Sequence, residues 1–307
     1  MRPPSGRRSS RDGVRSMRII RVFPIYTNAT PTDALSFVGD PPLPIFLPET
    51  DEVHISVTCS WDRKEGERLA ESWAQFYPGM VRLGGPAYHG ADNRPGEFMP
   101  GLYLKPGYTI TSRGCRRSCS YCAVQQREGP LRELPIRDGW NVMDNNLLAC
   151  SPGHVAAVFE MLKRQPKPIL FTGGLEASLI TDRIAQQLLT LRLERLFLAY
   201  DLPEQWEQTR AAISLLRAAG LTRDHIHCYV LAAFDPDDTP DLAAARCEQV
   251  LLAGGIPFLM LYRAPDEFEF RRPDWREWFA VRRKYVLEAA MLPSGRRDEL
   301  ERAGGFR

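Results

Sequence analysis

Cys115, Cys119 and Cys122 fall at i, i+4 and i+7 within RGCRRSCSYCAV, residues 113–124. Three thiolates so placed in a loop opened by Gly114 can turn their sulfurs onto one soft metal centre. A structural zinc site closes on four protein ligands, usually as paired Cys-x-x-Cys or Cys/His elements. The nearest histidines, His89 and His154, have no such spacing. A [4Fe–4S] cubane also takes four cysteines as a rule, so three leave one iron open to something other than protein, which is a catalytic feature. Arg113, Arg116 and Arg117 offset the charge of thiolate and sulfide and favour deprotonated thiols. The residues alone leave three outcomes open: an open iron–sulfur cluster, a zinc or other non-catalytic metal-binding module, or three buried thiols.

The elements that must position this loop follow a strand-then-helix rhythm. YTITSRG, NVMDNNL, PILFTGG, LFLAYD, CYVLAAF and PFLMLYR read as strands. Between them lie helices with apolar faces: Val155, Val158, Phe159 and Leu162, then Ile184, Leu188 and Leu191, then Trp206, Ile213 and Leu216. The third opens at an Asp201 N-cap with Pro203 in its first turn and stops at Gly220; a fourth runs from Asp241 to Gly254. Six strands alternating with helices predict a parallel sheet with right-handed crossovers. Ligands collect at the carboxyl ends of such strands, whether the sheet is open or closed into a barrel. There the sequence places Ser112 to Cys122, then Asp144, Asn145 and Asn146, then Thr172, Gly173 and Gly174, and finally Asp201, Asp235 and Arg263. Each has a plain structural reading as well: a tight turn for the glycines, an Asx turn or cap for Asp144 to Asn146, and a salt-bridge belt for the later charges.

Ahead of this series, RIIRVFPIY, EVHISVTCSW and MVRLGGPAY read as strands, with a helix carrying Leu69, Trp73 and Phe76 between the last two. They predict a small Rossmann-like α/β unit over residues 18–104, with DPPLPIFLPE as a loop and a Gly/Pro-rich linker at its end. Residues 1–17 form an Arg-, Ser- and Pro-rich tail without apolar period, expected to be disordered, and Met17 is an alternative start. Residues 266–307 form a helical extension expected to pack Trp275, Trp278 and Tyr285 onto the main domain; its alternation of aromatic and basic residues is also compatible with nucleic acid. Net charge is +2, from 40 Lys and Arg against 38 Asp and Glu, so no global pull toward nucleic acid or membrane is expected. Seven cysteines, an odd number without a secretory segment, point to a reducing, cytoplasmic setting. No apolar run approaches the roughly 20 residues that span a bilayer.

Cys115-x-x-x-Cys119-x-x-Cys122, with aromatic Tyr121 before the last cysteine and a place after the first strand of a βα series, resembles the radical S-adenosylmethionine (radical SAM) superfamily. The resemblance covers about residues 105–265 and implies an α/β fold whose core is a partial (β/α)6 TIM-like barrel. It implies that the cysteines hold a [4Fe–4S] cluster whose open iron takes the amino and carboxyl groups of S-adenosylmethionine. Reductive cleavage would then give a 5′-deoxyadenosyl radical that abstracts hydrogen from the substrate. The same resemblance places Tyr121 beside the adenine and calls for a small electron donor such as flavodoxin or ferredoxin. For the methionine end it offers two motifs. Gly173, Gly174 and Glu176 match the family's Gly-Gly-Glu-like motif by letters but follow the third strand. Asp144, Asn145 and Asn146 follow the second strand and resemble the Asp-Asp-Asn-Phe-like motif of cobalamin-linked members, so position favours them.

MVRLGGPA resembles the end of a cobalamin-binding domain, with Gly84 and Gly85 at close approach to a large ligand. The unit is shortened and lacks the Asp-x-His-x-x-Gly motif of some cobalamin proteins, so a cover over the barrel mouth is its expected role and cobalamin binding the alternative. REGPLRELP, with Arg127, Glu128, Gly129 and Arg132, resembles the loop after the cluster in tRNA methylthiotransferases. Those enzymes carry a second cluster on three further N-terminal cysteines, where this chain has Cys59 alone, and a C-terminal RNA-binding domain that the residues after 265 do not accommodate. Methylthiotransferase-like and methyltransferase reactions are the alternatives within the class.

Overall fold

The computed structural model describes residues 17–88, 97–264 and 272–288. The tail 1–16, His89, and residues 266–271 and 289–307 of the C-terminal extension lie outside the described residues. Strands β1 (Ile19–Phe23), β2 (Ser36–Val38), β3 (Glu52–Ser56) and β4 (Val81–Gly84) form a parallel sheet in the order β2-β1-β3-β4. Three of these strands were expected; β2 is only three residues long, too short for alternation to register. Helix α1 (Arg63–Ala74) buries Leu69 and Trp73 in a core with Ile20, Val22, Val53 and Ile55. The expected third member of that stripe, Phe76, is instead 42% exposed. The helix ends at Ala74, where the amides of Phe76 and Tyr77 both donate to the Trp73 carbonyl, and Tyr77 stacks on Trp73 in its place.

The larger sheet begins with β5 (Tyr108–Thr109). The chain then makes β6 (Ser112–Arg113), α2 (Val124–Glu128), β7 (Arg132–Glu133) and β8 (Asn141–Val142). After these come α3 (Pro152–Lys163), β9 (Ile169–Leu175), α4 (Asp182–Leu189), β10 (Leu193–Tyr200) and α5 (Trp206–Ala219). The series closes with β11 (Ile226–Ala232), α6 (Pro240–Ala253), β12 (Ile256–Leu261) and α7 (Trp275–Arg282). Six strands pair in the order β5-β8-β9-β10-β11-β12, and every neighbouring pair is parallel. The fold is therefore α/β with parallel sheets.

Alternation decides which face meets the helices. Leu196, Leu198 and Tyr200 of β10 and Cys228, Val230 and Ala232 of β11 share one core with Ile213 and Leu216 of α5 and Cys247 and Val250 of α6. Helix starts follow capping chemistry: the Ser151 hydroxyl accepts from the His154 amide ahead of α3, and Thr181 and Thr239 do the same for α4 and α6. Gly220 ends α5 at φ 114°. Asp201 is not the cap expected of it. The side chain of Gln205 reaches back to accept from the Asp201 and Leu202 amides, and α5 starts only at Trp206.

The expected strand YTITSRG is split. The Thr111 amide donates to the Asp144 side chain instead of a neighbouring strand, and Ser112–Arg113 leaves the sheet to pair antiparallel with β7. In the C-terminal element Trp278 and Tyr285 are buried as expected, whereas Trp275 is 48% exposed with the Arg276 guanidinium over its ring. Among the described residues no helix is long and apolar enough to cross a membrane.

Candidate functional site

The cysteine loop leaves the carboxyl edge of the six-stranded sheet and returns through α2. Gly114 opens it at φ 77°, and a Cβ there would stand 2.3 Å from the Pro130 carbonyl oxygen, so no larger residue fits. The loop is held at both ends by Glu128, a buried carboxylate that accepts from the Gly114 amide at 3.1 Å, Asn145 Nδ2 at 2.6 Å and Arg113 Nη1 at 3.3 Å. Inside it the Cys122 amide donates to the Cys119 carbonyl, and the Gln125 side-chain amide donates to the carbonyls of Cys115 and Arg117. Cys115 and Cys119 are half-buried and Cys122 is exposed; all seven cysteines are free thiols.

The two motifs offered for the methionine end meet at this loop. Asn146, which follows β8, lies with Nδ2 at 3.5 Å from Cys115 Sγ and 2.6 Å from Glu176 Oε2. Glu176, which follows β9, also accepts from Ser178 Oγ at 2.7 Å and from Arg117 Nη1 at 2.8 Å. Burial pushes the Glu176 carboxyl up, but the donors from Asn146, Ser178 and Arg117 outweigh it and hold the group below its ordinary value. Gly173 and Gly174 lie inside β9 rather than after it. A Cβ on Gly173 would stand 2.2 Å from the Asp144 carbonyl oxygen, so glycine is what lets the ends of β8 and β9 close up.

Asp144 itself points elsewhere. Its carboxylate accepts from the Thr111 amide at 2.7 Å, Thr111 Oγ1 at 2.6 Å and Ser112 Oγ at 2.6 Å, almost wholly buried. Asn145 goes to Glu128. Of the three, Asn146 alone reaches a cysteine, while Asp144 and Asn145 pin the segments that carry the loop. Asn146 is 4% exposed and its Oδ1 has no hydrogen-bond partner among the described residues.

Tyr121 stands with its hydroxyl 3.3 Å from Gln205 Nε2 and close to the Asp201 carboxyl. Burial pushes the Asp201 carboxyl up to about 6, against the pull of that hydroxyl and of Arg117. Phe234 packs edge-on to Tyr121 at 5.6 Å and to Tyr262 at 4.9 Å. The turn that carries Phe234 contains Ala233 at φ 62°, the one non-glycine residue with positive φ among the described residues. The Ala233 amide donates to Asp238, which is in turn clamped by both terminal nitrogens of buried Arg246 at 3.0 and 2.8 Å. Asp235 accepts from the Asp237 amide in an Asx turn.

The N-terminal unit meets the same edge. Arg263, after β12, lies over the Trp61 ring at 5.0 Å, and Cys59 sits within electrostatic reach of Arg127 and Arg263. Gly85 makes its close approach to the backbone of Val57, whose oxygen would stand 2.6 Å from a Cβ.

Sequence reasoning missed the role of Glu128 and the Asp238–Arg246 clamp; an acid between Arg127 and Arg132 beside a glycine was the available signal for the first. Among the described residues no group of three or more His, Cys, Asp and Glu side chains is arranged to hold a metal ion. A cubane asks for something else, three sulfurs that each meet a separate iron around a shared body. The donor set is in keeping with that demand: three thiols in one loop, with N–H donors from Arg117 and Asn146 aimed at the Cys115 sulfur. No protein-family model matches the chain, and no curated protein matches it in sequence.

Proposed function

We propose that the chain is a radical SAM enzyme in which Cys115, Cys119 and Cys122 hold a [4Fe–4S] cluster with one iron left open for S-adenosylmethionine. The observation that carries this reading is convergence. The three-cysteine loop follows the first strand of a sequentially ordered parallel sheet, and Asn146 after the second strand and Glu176 after the third both reach it. Sequential order is what a partial (β/α)6 barrel requires and what a doubly wound sheet lacks, which supports the barrel form.

A cluster held by Cys115, Cys119 and Cys122 would supply the electron for reductive cleavage of S-adenosylmethionine to methionine and a 5′-deoxyadenosyl radical, which would take hydrogen from the substrate. The chain's own residues hold and orient. The Arg117 amide and Asn146 Nδ2 donate to the Cys115 sulfur, which stabilises thiolate charge and fixes the direction of the sulfur. Asn146 Oδ1 and Glu176 offer acceptors to the N–H groups of the methionine amino group. Tyr121, Phe234 and Tyr262 form an aromatic group suited to adenine, with Gln205 holding the Tyr121 hydroxyl and Asp201 close by. A small electron donor such as flavodoxin or ferredoxin completes the system. Gly85 closes on the Val57 backbone while Gly84 beside it has open space, and cobalamin binding by the N-terminal unit stays the alternative.

The test is anaerobic reconstitution with iron and sulfide, reduction with dithionite and addition of S-adenosylmethionine. Equal amounts of 5′-deoxyadenosine and methionine are expected. Stoichiometric zinc with no cleavage would overturn the reading.

A further inference from the structure

The second face of the large sheet carries groups that neither the core nor the cysteine loop employs. Helices α3 to α7 pack on one face, where Phe171, Leu196, Val230 and Leu259 meet them. Phe197 and Leu231 are buried as well but belong to neither core, because alternation turns them to the opposite face. There Tyr229 stacks on Phe197 at 4.3 Å, Phe258 meets both rings edge-on, and the Tyr229 hydroxyl donates to the Thr172 carbonyl at 3.0 Å. Among the described residues no further ring lies over Tyr229, so its outer side is a half-buried platform. Arg195 joins this face through a break in register. Leu193 pairs with Ile169 and Arg195 with Leu170, so β10 uses two residues where β9 uses one. Without that bulge Arg195 would stand opposite Phe171 and point into the core. Arg195 makes no ion pair among the described residues, and its Nε is buried without a hydrogen-bond partner. Thr172, which takes the Tyr229 hydroxyl, lies two residues along β9 from Leu170, about 7 Å of strand rise from the level of Arg195. Burial pushes that hydroxyl up to about 12, against the pull of the Arg195 guanidinium.

We propose that this face binds an aryl carboxylate, with the carboxylate on Arg195 and the ring on Tyr229. The guanidinium fork matches two carboxylate oxygens. One cation balances one negative charge, which favours a carboxylate over a phosphate dianion. The separation of cation and platform calls for a short spacer between ring and carboxylate. A neutral analogue leaves the guanidinium unpaired and a cationic one is repelled, so the same charge holds and selects. The ring lies on the side of the carboxyl ends of the strands, the edge that carries the cysteine loop. That the ring end is the reacting end of a substrate rests on the radical SAM reading; the binding site rests on the sheet alone.

The experiment is ligand-observed NMR titration of the full chain, before and after reconstitution with iron and sulfide, against 3-phenylpropanoate, 3-phenylpropanamide, 3-cyclohexylpropanoate and inorganic phosphate. Wild type is expected to bind 3-phenylpropanoate about tenfold more tightly than the amide, as for a charge-assisted bond, and more tightly than the cyclohexyl acid, with no displacement by phosphate. Arg195→Met is expected to abolish the preference for the acid while the amide binds as before, and Arg195→Lys to keep part of it. Because Arg195 has no partner to lose, the Met variant should unfold in urea no earlier than wild type. Equal binding of acid and amide by wild type, binding of neither, or a cyclohexyl acid held as well as the phenyl one overturns the site. So does displacement by phosphate, an undiminished preference in Arg195→Met, or a lowered urea midpoint for that variant. Failure to take up iron overturns the radical SAM reading and leaves the binding result standing.

Discussion

Replacing Glu128 by alanine removes the side chain that ties the cysteine loop to the sheet. It strands three donors at once: the Gly114 amide, Asn145 Nδ2 and the Arg113 guanidinium. The side chains of Arg113 and Glu128 are only 15% and 11% exposed, so the arginine becomes a nearly buried cation without its counter-charge. Breaking a buried pair from one side costs about 3 to 5 kcal/mol, and each orphaned neutral donor costs about 1 to 3 kcal/mol. These losses overlap, so about 4 kcal/mol in total is expected for Glu128→Ala. Glu128→Gln keeps the acceptor and removes the charge, for a loss of roughly 2 kcal/mol. The Glu128 backbone carbonyl, which accepts from Arg132 Nη1 at 2.5 Å, is untouched by either change. Urea denaturation at neutral pH reads the loss directly. Arg113→Met combined with Glu128→Met should recover most of it, because paired apolar replacement of a buried ion pair is often neutral. An alanine variant within about 1 kcal/mol of wild type, or a double variant no better than the single one, would refute the reasoning.

Gly173→Ala should destabilise by about 3 kcal/mol, because its Cβ meets the Asp144 carbonyl oxygen at 2.2 Å and the ends of β8 and β9 must part; urea midpoints check this. Asp238→Ala should cost about 3 to 5 kcal/mol by leaving Arg246 buried and unpaired, and Ala233→Gly should stabilise by about 1 kcal/mol by removing a side chain from the left-handed region. The Asp201 carboxyl, raised to about 6, stays protonated in the folded chain after it has ionised in the unfolded one. Its contribution is therefore complete below pH 4 and lost as pH rises through about 6. Wild type should lose about 2 to 3 kcal/mol across that window relative to Asp201→Asn, and parallel stability curves for the two proteins would contradict it.

The long strands were legible because six to eight consecutive residues, as in LERLFLAY and IHCYVLA, carry enough β-branched, aromatic and apolar side chains to show. Two-residue pairings such as β5 and β8 are set by the neighbours they meet, not by their own composition, so only their places in the rhythm could be read. The cysteines announce themselves by spacing. Asn146 and Glu176 read as rivals in the sequence because they end different strands; nothing local says that the two loops touch at 2.6 Å. Asp144 looks like a ligand in the sequence, being polar at a strand end, yet Thr111 and Ser112 turn it inward, and that choice depends on a segment 32 and 33 residues away. The Asp238–Arg246 clamp leaves no mark either, since a buried ion pair is spelled with the same letters as a solvated one.

The central claim is that three cysteines of one loop, and no others, hold a cluster with an open iron. Iron and sulfide content after anaerobic reconstitution tests it most directly, measured on wild type, on Cys115→Ala, Cys119→Ala and Cys122→Ala, and on Ser variants of Cys59, Cys150, Cys228 and Cys247. About four irons per wild-type chain are expected for one cubane, kept in the last four variants, lost in the first three, with one iron site perturbed in the Mössbauer spectrum when S-adenosylmethionine is added. Four irons retained in any of the three loop variants, or a spectrum in which no iron responds to S-adenosylmethionine, would contradict it.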